Sequence, residues 1–196
     1  MVDFFALLNL PRAPWIEAED VQKRFLELSA PVHPDRVHGL SAAEKEEANR
    51  KFAELNRAAT MLRDHKERLQ HLIVLETGAA SGAAQNISGE FVELFGRVGE
   101  VCRKVDLFLS ERAKATSPMV QAQLFGRGLE LSDLVAELQA RVAEVKGRAE
   151  EELKGIGERW GDKKAWGRVA ELAHVFAMVS KWEGQLRERF ASLASF

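Results

Sequence analysis

Two stretches in the first third of the chain repeat apolar residues at the spacing of an amphipathic helix. They predict helices over residues 18–32 and 42–62. Pro34 cannot continue a helix and disfavours helical backbone at the residue before it. Ser41 and Glu44 have the S-x-x-E spacing of a capping box, which begins the second helix. The loop between the helices is long enough for them to pack as an antiparallel pair. Their apolar stripes are Val21, Phe25, Leu28 and Val32, and Ala48, Phe52, Leu55, Ala59 and Leu62.

Shorter helices are predicted on both sides of this pair. Asp3 can cap a short helix that reaches Leu8, and a further helix is predicted over residues 66–76. Pro31 stands in the last turn of the helix over residues 18–32. Since proline removes a backbone donor, we expect the regular helix to end a residue or two early.

The second half of the chain predicts a helical bundle. Small and polar residues with two glycines over residues 77–86 break the composition and predict a linker at residues 79–87, which separates a domain over 1–78 from one over 88–196. Three long apolar stripes follow, at residues 91–109, 131–156 and 166–193. A short piece, 119–125, precedes the second stripe, and Asp162 can cap the helix that carries the third. Short connections predict an antiparallel three-helix bundle, and nothing alternates with the period of a strand, so the class is all-α.

Composition narrows the function classes. The formal net charge is -2, which does not favour nucleic-acid or anionic-membrane partners. No apolar run is long enough to span a bilayer, and the N-terminus lacks a secretory signal or transit peptide, so a cytoplasmic protein is expected. The single cysteine, Cys102, excludes an internal disulfide and a cysteine-cluster metal site. The sequence predicts no metal site and no cofactor, and no constellation of residues supports an enzyme.

The loop between the first two long helices carries a His33-Pro34-Asp35 tripeptide. Asp35 is a charged acceptor, His33 a possible donor, and Pro34 keeps the backbone between them rigid. A partner's arginine could be held there by charge-assisted hydrogen bonds. The alternative is an ordinary helix-to-helix turn, in which Asp35 caps backbone groups and His33 is solvated.

The order of these elements resembles a J-domain. A short helix begins at Asp3, a second helix ends at the His-Pro-Asp tripeptide, and a longer helix runs into Leu62-Arg63-Asp64. The opening run Asp3-Phe4-Phe5-Ala6-Leu7-Leu8-Asn9-Leu10-Pro11 and the helical second half resemble the HscB class of J-protein co-chaperones, which serve iron–sulfur cluster assembly. The resemblance implies that the tripeptide docks on a DnaK/HscA-class chaperone and stimulates its ATPase.

The resemblance also implies two sets of contact residues. The chaperone-binding set is His33, Pro34, Asp35, Arg36, Lys23, Arg24 and Asn56. The client-binding set, for an iron–sulfur scaffold protein, is Phe91, Leu94, Phe95 and Val98, although stripes of this kind are more often core. One departure concerns helix two, where Leu26, Glu27 and Pro31 stand at positions that J-domains usually make basic.

A second hypothesis remains open, in which the chain is a helical adaptor with a degenerate J-domain and a different client. The depleted basic face favours it and the intact tripeptide opposes it. Residues 1–78 contain 11 basic and 13 acidic side chains. Electrostatic steering towards an acidic partner is therefore expected to be weaker than for a strongly basic J-domain.

Overall fold

The computed structural model describes residues 2–78, 88–161 and 165–195, and all of its regular structure in these ranges is helical. The predicted all-α class is confirmed, and the predicted linker, 79–87, lies outside the described residues. Two 3-10 turns, Ala30–Val32 and Pro34–Arg36, separate the second and third helices. The α-helices are α1 (Phe4–Leu7), α2 (Ala18–Ser29), α3 (Ala42–Arg63), α4 (His65–Thr77), α5 (Gly89–Arg112), α6 (Pro118–Glu158) and α7 (Trp166–Ala194).

The chain forms two compact units. One comprises Met1–Ala83 and Glu151–Ala173, and the other Ala84–Glu150 and His174–Phe196. The sequence predicts that all of residues 88–196 belong to the second domain. The structure differs, because the last residues of α6 and the first residues of α7 belong to the first unit. Trp160 and Trp166 pack against its hydrophobic core, so these distant residues complete the N-terminal unit.

Helices α2 and α3 form the predicted antiparallel pair. Arg63, the last residue of α3, donates a hydrogen bond to Gln22 near the start of α2. Further along, the rings of Phe25 and Phe52 lie 6.0 Å apart. The predicted stripes form the contact, because Val21, Leu55, Ala59 and Leu62 are buried and Phe25, Leu28 and Val32 pack against the same cluster.

Local capping follows the predicted pattern. Asp3 accepts hydrogen bonds from the backbone of Phe5 and Ala6 at the start of α1. Ser41 and Glu44 form the capping box of α3. These hydrogen bonds lower the pKa of the Glu44 carboxyl, since they favour its charged form. As expected from Pro31, the regular part of α2 ends at Ser29.

A buried histidine closes α1 onto α4. His71 is 6% exposed, and its Nε2 accepts the hydrogen bond that Phe4 donates from its backbone N–H at 3.1 Å. Its ring also stacks on Phe5 at 5.7 Å. Beside it, Arg12 joins the cap residue Asp3 to Glu76 of α4, with N–O distances of 2.8 and 2.9 Å. The first helix has one turn, so these contacts hold it in place.

A buried arginine joins three segments of the same unit. Arg68 donates to the carbonyl oxygens of Pro14 and Leu62 and contacts Nδ1 of His65. Burial lowers the pKa of Arg68 to about 10. His65 stacks on Trp15 at 5.5 Å. Because all of these polar groups are partnered, burying the guanidinium costs far less than an unpaired charge would.

Trp15 also lies against the end of α6. A Cβ added at Gly157 would stand 2.6 Å from the Cβ of Trp15, so the backbone of α6 approaches this side chain as closely as glycine permits. The Nζ of Lys154 lies 6.0 Å from the centre of the Trp15 ring. A cation over an indole face is favourable, and the contact fixes α6 at this point.

The second unit is a three-helix bundle in which each helix runs antiparallel to the next. Arg148 pairs with Glu90 at 2.8 Å and Arg127 with Glu111 at 2.9 Å, which sets α6 against α5. Helices α5 and α7 run in the same direction, since the Phe91 ring meets the Trp182 ring and Asp106 pairs with Arg189 further along both helices. The core residues are Leu94, Val98, Val101, Val105, Phe108, Leu124, Val135, Leu138, Val142, Val179, Trp182, Leu186 and Leu193.

Helix α6 is longer than predicted. The short piece at 119–125 and the long helix after it are one helix, although Gly126 and Gly128 lie between them. Each glycine costs about 1 kcal/mol relative to alanine. Leu124 is 3% exposed and joins the same core as Val135, so its burial offsets that cost.

Among residues 2–78, 88–161 and 165–195, no helix is both long enough and apolar enough to cross a bilayer.

The close approach at Trp15 predicts opposite effects for two glycines of α6. Gly157→Ala should destabilise the protein by about 1–3 kcal/mol, because the new methyl meets backbone-anchored atoms that cannot rotate away. Gly155→Ala, with nothing within 4 Å, should stabilise it by about 0.5–1 kcal/mol through helix propensity. Chemical denaturation measures both, and equal stability of the two variants would contradict the close packing.

His71 predicts a loss of stability in mild acid. Burial lowers the pKa of His71 below its ordinary 6.5; nearby Asp3 opposes the shift and Arg12 adds to it. As pH falls below about 6.5 the unfolded chain binds a proton that the folded chain does not, so stability falls. One such group contributes at most about 1.4 kcal/mol per pH unit.

The measurement is the free energy of unfolding between about pH 5 and pH 8. His71→Gln should be less stable at the upper end but should lack this component of the pH dependence. An unchanged pH profile in His71→Gln would show that His71 is not its source.

Candidate functional site

The His-Pro-Asp loop is a short structured tip rather than an irregular connection. His33 has extended backbone and caps the 3-10 turn Pro34–Arg36, where its Nδ1 accepts a hydrogen bond from the backbone N–H of Asp35 at 3.2 Å. Pro34 stands at the first position of this turn, where its fixed φ suits the geometry and a missing N–H costs nothing. The imidazole orientation is therefore fixed on one side by the backbone.

Phe52 of α3 fixes the other side of the imidazole. The His33 and Phe52 rings meet edge to face, with centroids 5.4 Å apart and an interplanar angle of 88°. Phe52 itself contacts Phe25 of α2. A row of three rings thus runs from the α2–α3 pair to the tip, and such aromatic contacts contribute about 0.5–1.5 kcal/mol each.

The carboxylate of Asp35 projects into solvent. Its side chain is 83% exposed. The distance from Oδ2 to Nδ1 of His33 is 3.6 Å, which is too long for a hydrogen bond. Nδ1 already accepts the hydrogen bond from the backbone N–H of Asp35, so it donates none to the Asp35 carboxylate. A cation from outside can reach it.

Of the basic residues predicted for the chaperone-binding set, Lys23 and Arg24 lie on α2 and Arg36 lies in the turn of the tip. Lys23, Arg24 and Arg36 are exposed. Arg24 is paired with Glu27 on its own helix at 3.1 Å, so part of its charge is balanced locally. Asn56 is exposed one turn after Phe52 on α3. Among the residues that the structure describes, no hydrogen bond joins Asn56 to the loop.

A shallow groove of about 630 Å³ lies on the outer face of α2. Leu26 stands in it with 54% of its surface exposed. Much of the lining is apolar, because long polar side chains expose their hydrocarbon stems there. The lining residues are Ala18, Glu19, Gln22, Lys23, Leu26, Glu27 and Arg63.

The predicted client face on α5 needs a correction. Leu94 and Val98 are each 1% exposed and belong to the core of the second unit, so no partner can contact them there. Phe91 is partly buried and contacts Trp182 at 4.8 Å. Phe95 does reach the surface, with 55% exposed. The sequence pattern of this α5 stripe is compatible with both a core and a client-binding site, and the bundle buries most of its residues in the core.

Three residues of interest were not assigned to a site from the sequence. Val92 is 56% exposed beside Phe95, and a helical projection could have found it as an apolar residue off the core stripe. Leu26 was noted only as a departure from a basic pattern. Phe52 was read as part of the α3 stripe, and no sequence signal showed that its ring also meets His33.

The described residues give little support for a metal site or a reactive cysteine. No group of three or more histidine, cysteine, aspartate or glutamate residues in them could hold a metal ion. Cys102 is buried, and burial raises the pKa of its thiol, which lowers its reactivity.

Comparisons with known proteins agree with the geometry of the first unit. The DnaJ domain family model matches residues 3–71. A co-chaperone protein HscB homolog of Mannheimia succiniciproducens is 36% identical over 74 residues, covering 38% of this chain and 43% of the relative. The chain thus spans less than half of that relative. Adaptation to cold protein J of Shewanella oneidensis is 32% identical over 68 residues, covering 35% of this chain and 70% of that protein.

The whole chain also resembles a solved structure. The chaperone HscB from Vibrio cholerae superposes with a TM-score of 0.64 at 16% sequence identity, covering 95% of this chain and 96% of that one. At this identity the likeness concerns the fold, an all-helical J-domain with a C-terminal helical bundle. Taken with the family match and with a J protein matched over 70% of its length, it leads to one conclusion: the chain belongs to the J-domain proteins, and its fold is similar to that of HscB.

Proposed function

We propose that the protein is a co-chaperone that binds a DnaK/HscA-class chaperone through the His33-Pro34-Asp35 tip and stimulates its ATPase. One observation carries the proposal: Asp35 exposes its carboxylate to solvent beside an imidazole held by Phe52 and by the backbone. A site already ordered before binding loses little conformational entropy when a partner docks.

The chemistry of docking follows from the charges. A partner's arginine can donate charge-assisted hydrogen bonds to the Asp35 carboxylate, and such bonds are about twice as strong as neutral ones. The chain's own residues bind and orient, while the partner hydrolyses ATP. Arg36 in the tip and Lys23 on α2 are exposed positive charges, and they would meet acidic groups of the partner.

The second unit is proposed to hold a client, with the iron–sulfur scaffold protein as the candidate. The support is the likeness to HscB homologs in sequence and to HscB in fold, together with the exposed apolar pair Val92 and Phe95 on α5. Two adjacent apolar side chains on a folded surface are a usual feature of a protein contact. The buried members of the predicted set, Leu94 and Val98, would support this surface from below.

A helical adaptor with a degenerate J-domain is the second candidate. The pairing of Arg24 with Glu27, which reduces the positive charge of α2, favours it. A binding titration against a DnaK/HscA-class chaperone in ATP separates the two candidates. The co-chaperone should bind in an ATP-dependent manner, whereas the adaptor should not bind.

His33→Gln tests the proposed function. The variant removes the imidazole from the tip and should abolish stimulation of a DnaK/HscA-class ATPase. Helicity should stay unchanged and the loss of stability should be no more than about 0.5–1.5 kcal/mol, the contribution of the Phe52 contact, because the side chain is 44% exposed. His38→Gln is the matched control, since His38 is exposed in the same loop. The measurement is steady-state ATP hydrolysis; full stimulation by His33→Gln would remove the basis of the proposal.

The client surface has its own test. Val92→Ser with Phe95→Ser should weaken binding of the iron–sulfur scaffold protein by about tenfold or more, since each lost apolar contact costs on the order of 1 kcal/mol. Leu107→Ser is the control, because Leu107 is 72% exposed on the same helix and does not join the core. Calorimetric titration measures the affinities. Equal weakening by the control, or none in the double variant, would argue against this surface.

A further inference from the structure

The first half of α6 carries an exposed stripe of apolar and small residues that the proposed function does not use. The stripe consists of Met119, Ala122, Gly126 and Leu129, and Phe125 lies beside it. We propose that this α6 stripe pairs with the same stripe of a second copy of the chain, with the two helices antiparallel and related by a two-fold axis. The second unit is then the dimerisation unit of the protein.

The α6 stripe faces away from the core of its own bundle. The residues of α6 that enter this core include Leu124, Val135 and Leu138. Arg127 marks the side of α6 that lies towards α5, because it pairs with Glu111. At 3.6 residues per turn, the four stripe positions lie on the opposite side of α6 from the core residues. Neither neighbouring helix of the bundle therefore uses this face.

The spacing of the α6 stripe suits pairing with another helix. Its positions follow one another at steps of three, four and three residues, the pattern that keeps one helix face against a partner. In an antiparallel pair, Ala122 comes opposite Gly126 of the second copy, so the two backbones can approach closely. Met119 comes opposite Leu129, and these larger side chains close the contact at both ends. A two-fold interface needs such self-complementarity, since each contact occurs twice.

The exposed apolar area fits a dimer. Met119, Phe125 and Leu129 leave 73%, 49% and 52% of their surface in solvent. Since a large apolar side chain has about 150–250 Å² of surface, these three expose on the order of 350 Å². A standard interface covers about 800 Å² on each partner, of which about 60% is apolar. The three side chains thus supply most of the apolar area that a stable dimer needs.

The charges beside the α6 stripe are also complementary. Asp133 continues the stripe by one further step of four residues and is exposed. In the antiparallel pair it comes opposite the turn at residues 113–117, which joins α5 to α6 in the second copy. Lys114 is the basic residue of this turn and is exposed as well. Each end of the interface therefore brings an acid of one copy to a base of the other, which favours the antiparallel orientation.

Sedimentation velocity of the full chain between about 1 and 500 µM tests the proposal, and the dimer should form with a midpoint on the order of 10 µM. Leu129→Arg should remain a monomer, because it places a charge in the apolar contact. Gly126→Gln should weaken association by more than about tenfold, since the side chain separates the backbones. Its fold should be unaffected, because a Cβ at Gly126 has nothing within 4 Å. Leu107→Arg is the matched control, since Leu107 is 72% exposed on α5, and it should dimerise like the wild type.

Reversal of the charges tests the orientation. Asp133→Lys and Lys114→Asp should each weaken association by about tenfold, because like charges then meet at both ends of the interface. The double variant should recover the wild-type midpoint. An equal mixture of the two single variants should also associate, since each copy offers the charge that the other lacks. Recovery in the mixture requires that the contact joins two copies.

Three results would overturn the proposal. The first is a wild-type monomer throughout the concentration range. The second is a dimer that Leu129→Arg and Gly126→Gln leave unchanged, or that Leu107→Arg weakens to the same extent. The third is a mixture of the charge variants that associates no better than either variant alone, which would exclude the antiparallel pairing.

Discussion

The contact between the rings of His33 and Phe52 decides whether the tip is a binding site or an ordinary turn. Among the described residues, the His33 side chain has one hydrogen bond to the backbone, at Nδ1, and a single bond leaves the ring free to rotate about its side-chain torsions. The edge-to-face contact with Phe52 removes that freedom. Since Phe52 belongs to the packed pair of α2 and α3, the geometry of the tip depends on helix packing below it.

The packing that supports the tip extends far beyond the tip in sequence. His71 and Arg68 of α4 are both buried; His71 accepts a hydrogen bond from Phe4 of the first helix, and Arg68 donates one to Pro14. Trp15 packs against Gly157, more than a hundred residues away. The N-terminal unit therefore uses two distant segments of the chain, and residues 1–78 alone do not complete its core.

Much of this was readable from the sequence, for identifiable reasons. Helix boundaries could be predicted because helix caps and prolines act on the adjacent backbone. The examples are Asp3, the Ser41–Glu44 capping box and Pro31. The parts that were missed depend on contacts between distant residues. The continuity of α6 through Gly126 depends on the burial of Leu124, and the burial of Leu94 and Val98 depends on how wide the bundle core is. Periodicity locates a stripe, but only packing decides which of its members reach the surface.

The most direct test of the central claim is the backbone mobility of the tip in the free protein, from ¹⁵N relaxation at the amides of Asp35 and Arg36. A tip ordered by Phe52 should give order parameters near those of packed helices, about 0.85, and Phe52→Ala should lower them. Values below about 0.6 in the wild type, or no change in Phe52→Ala, would contradict the claim that the aromatic contact orders the site before a partner binds.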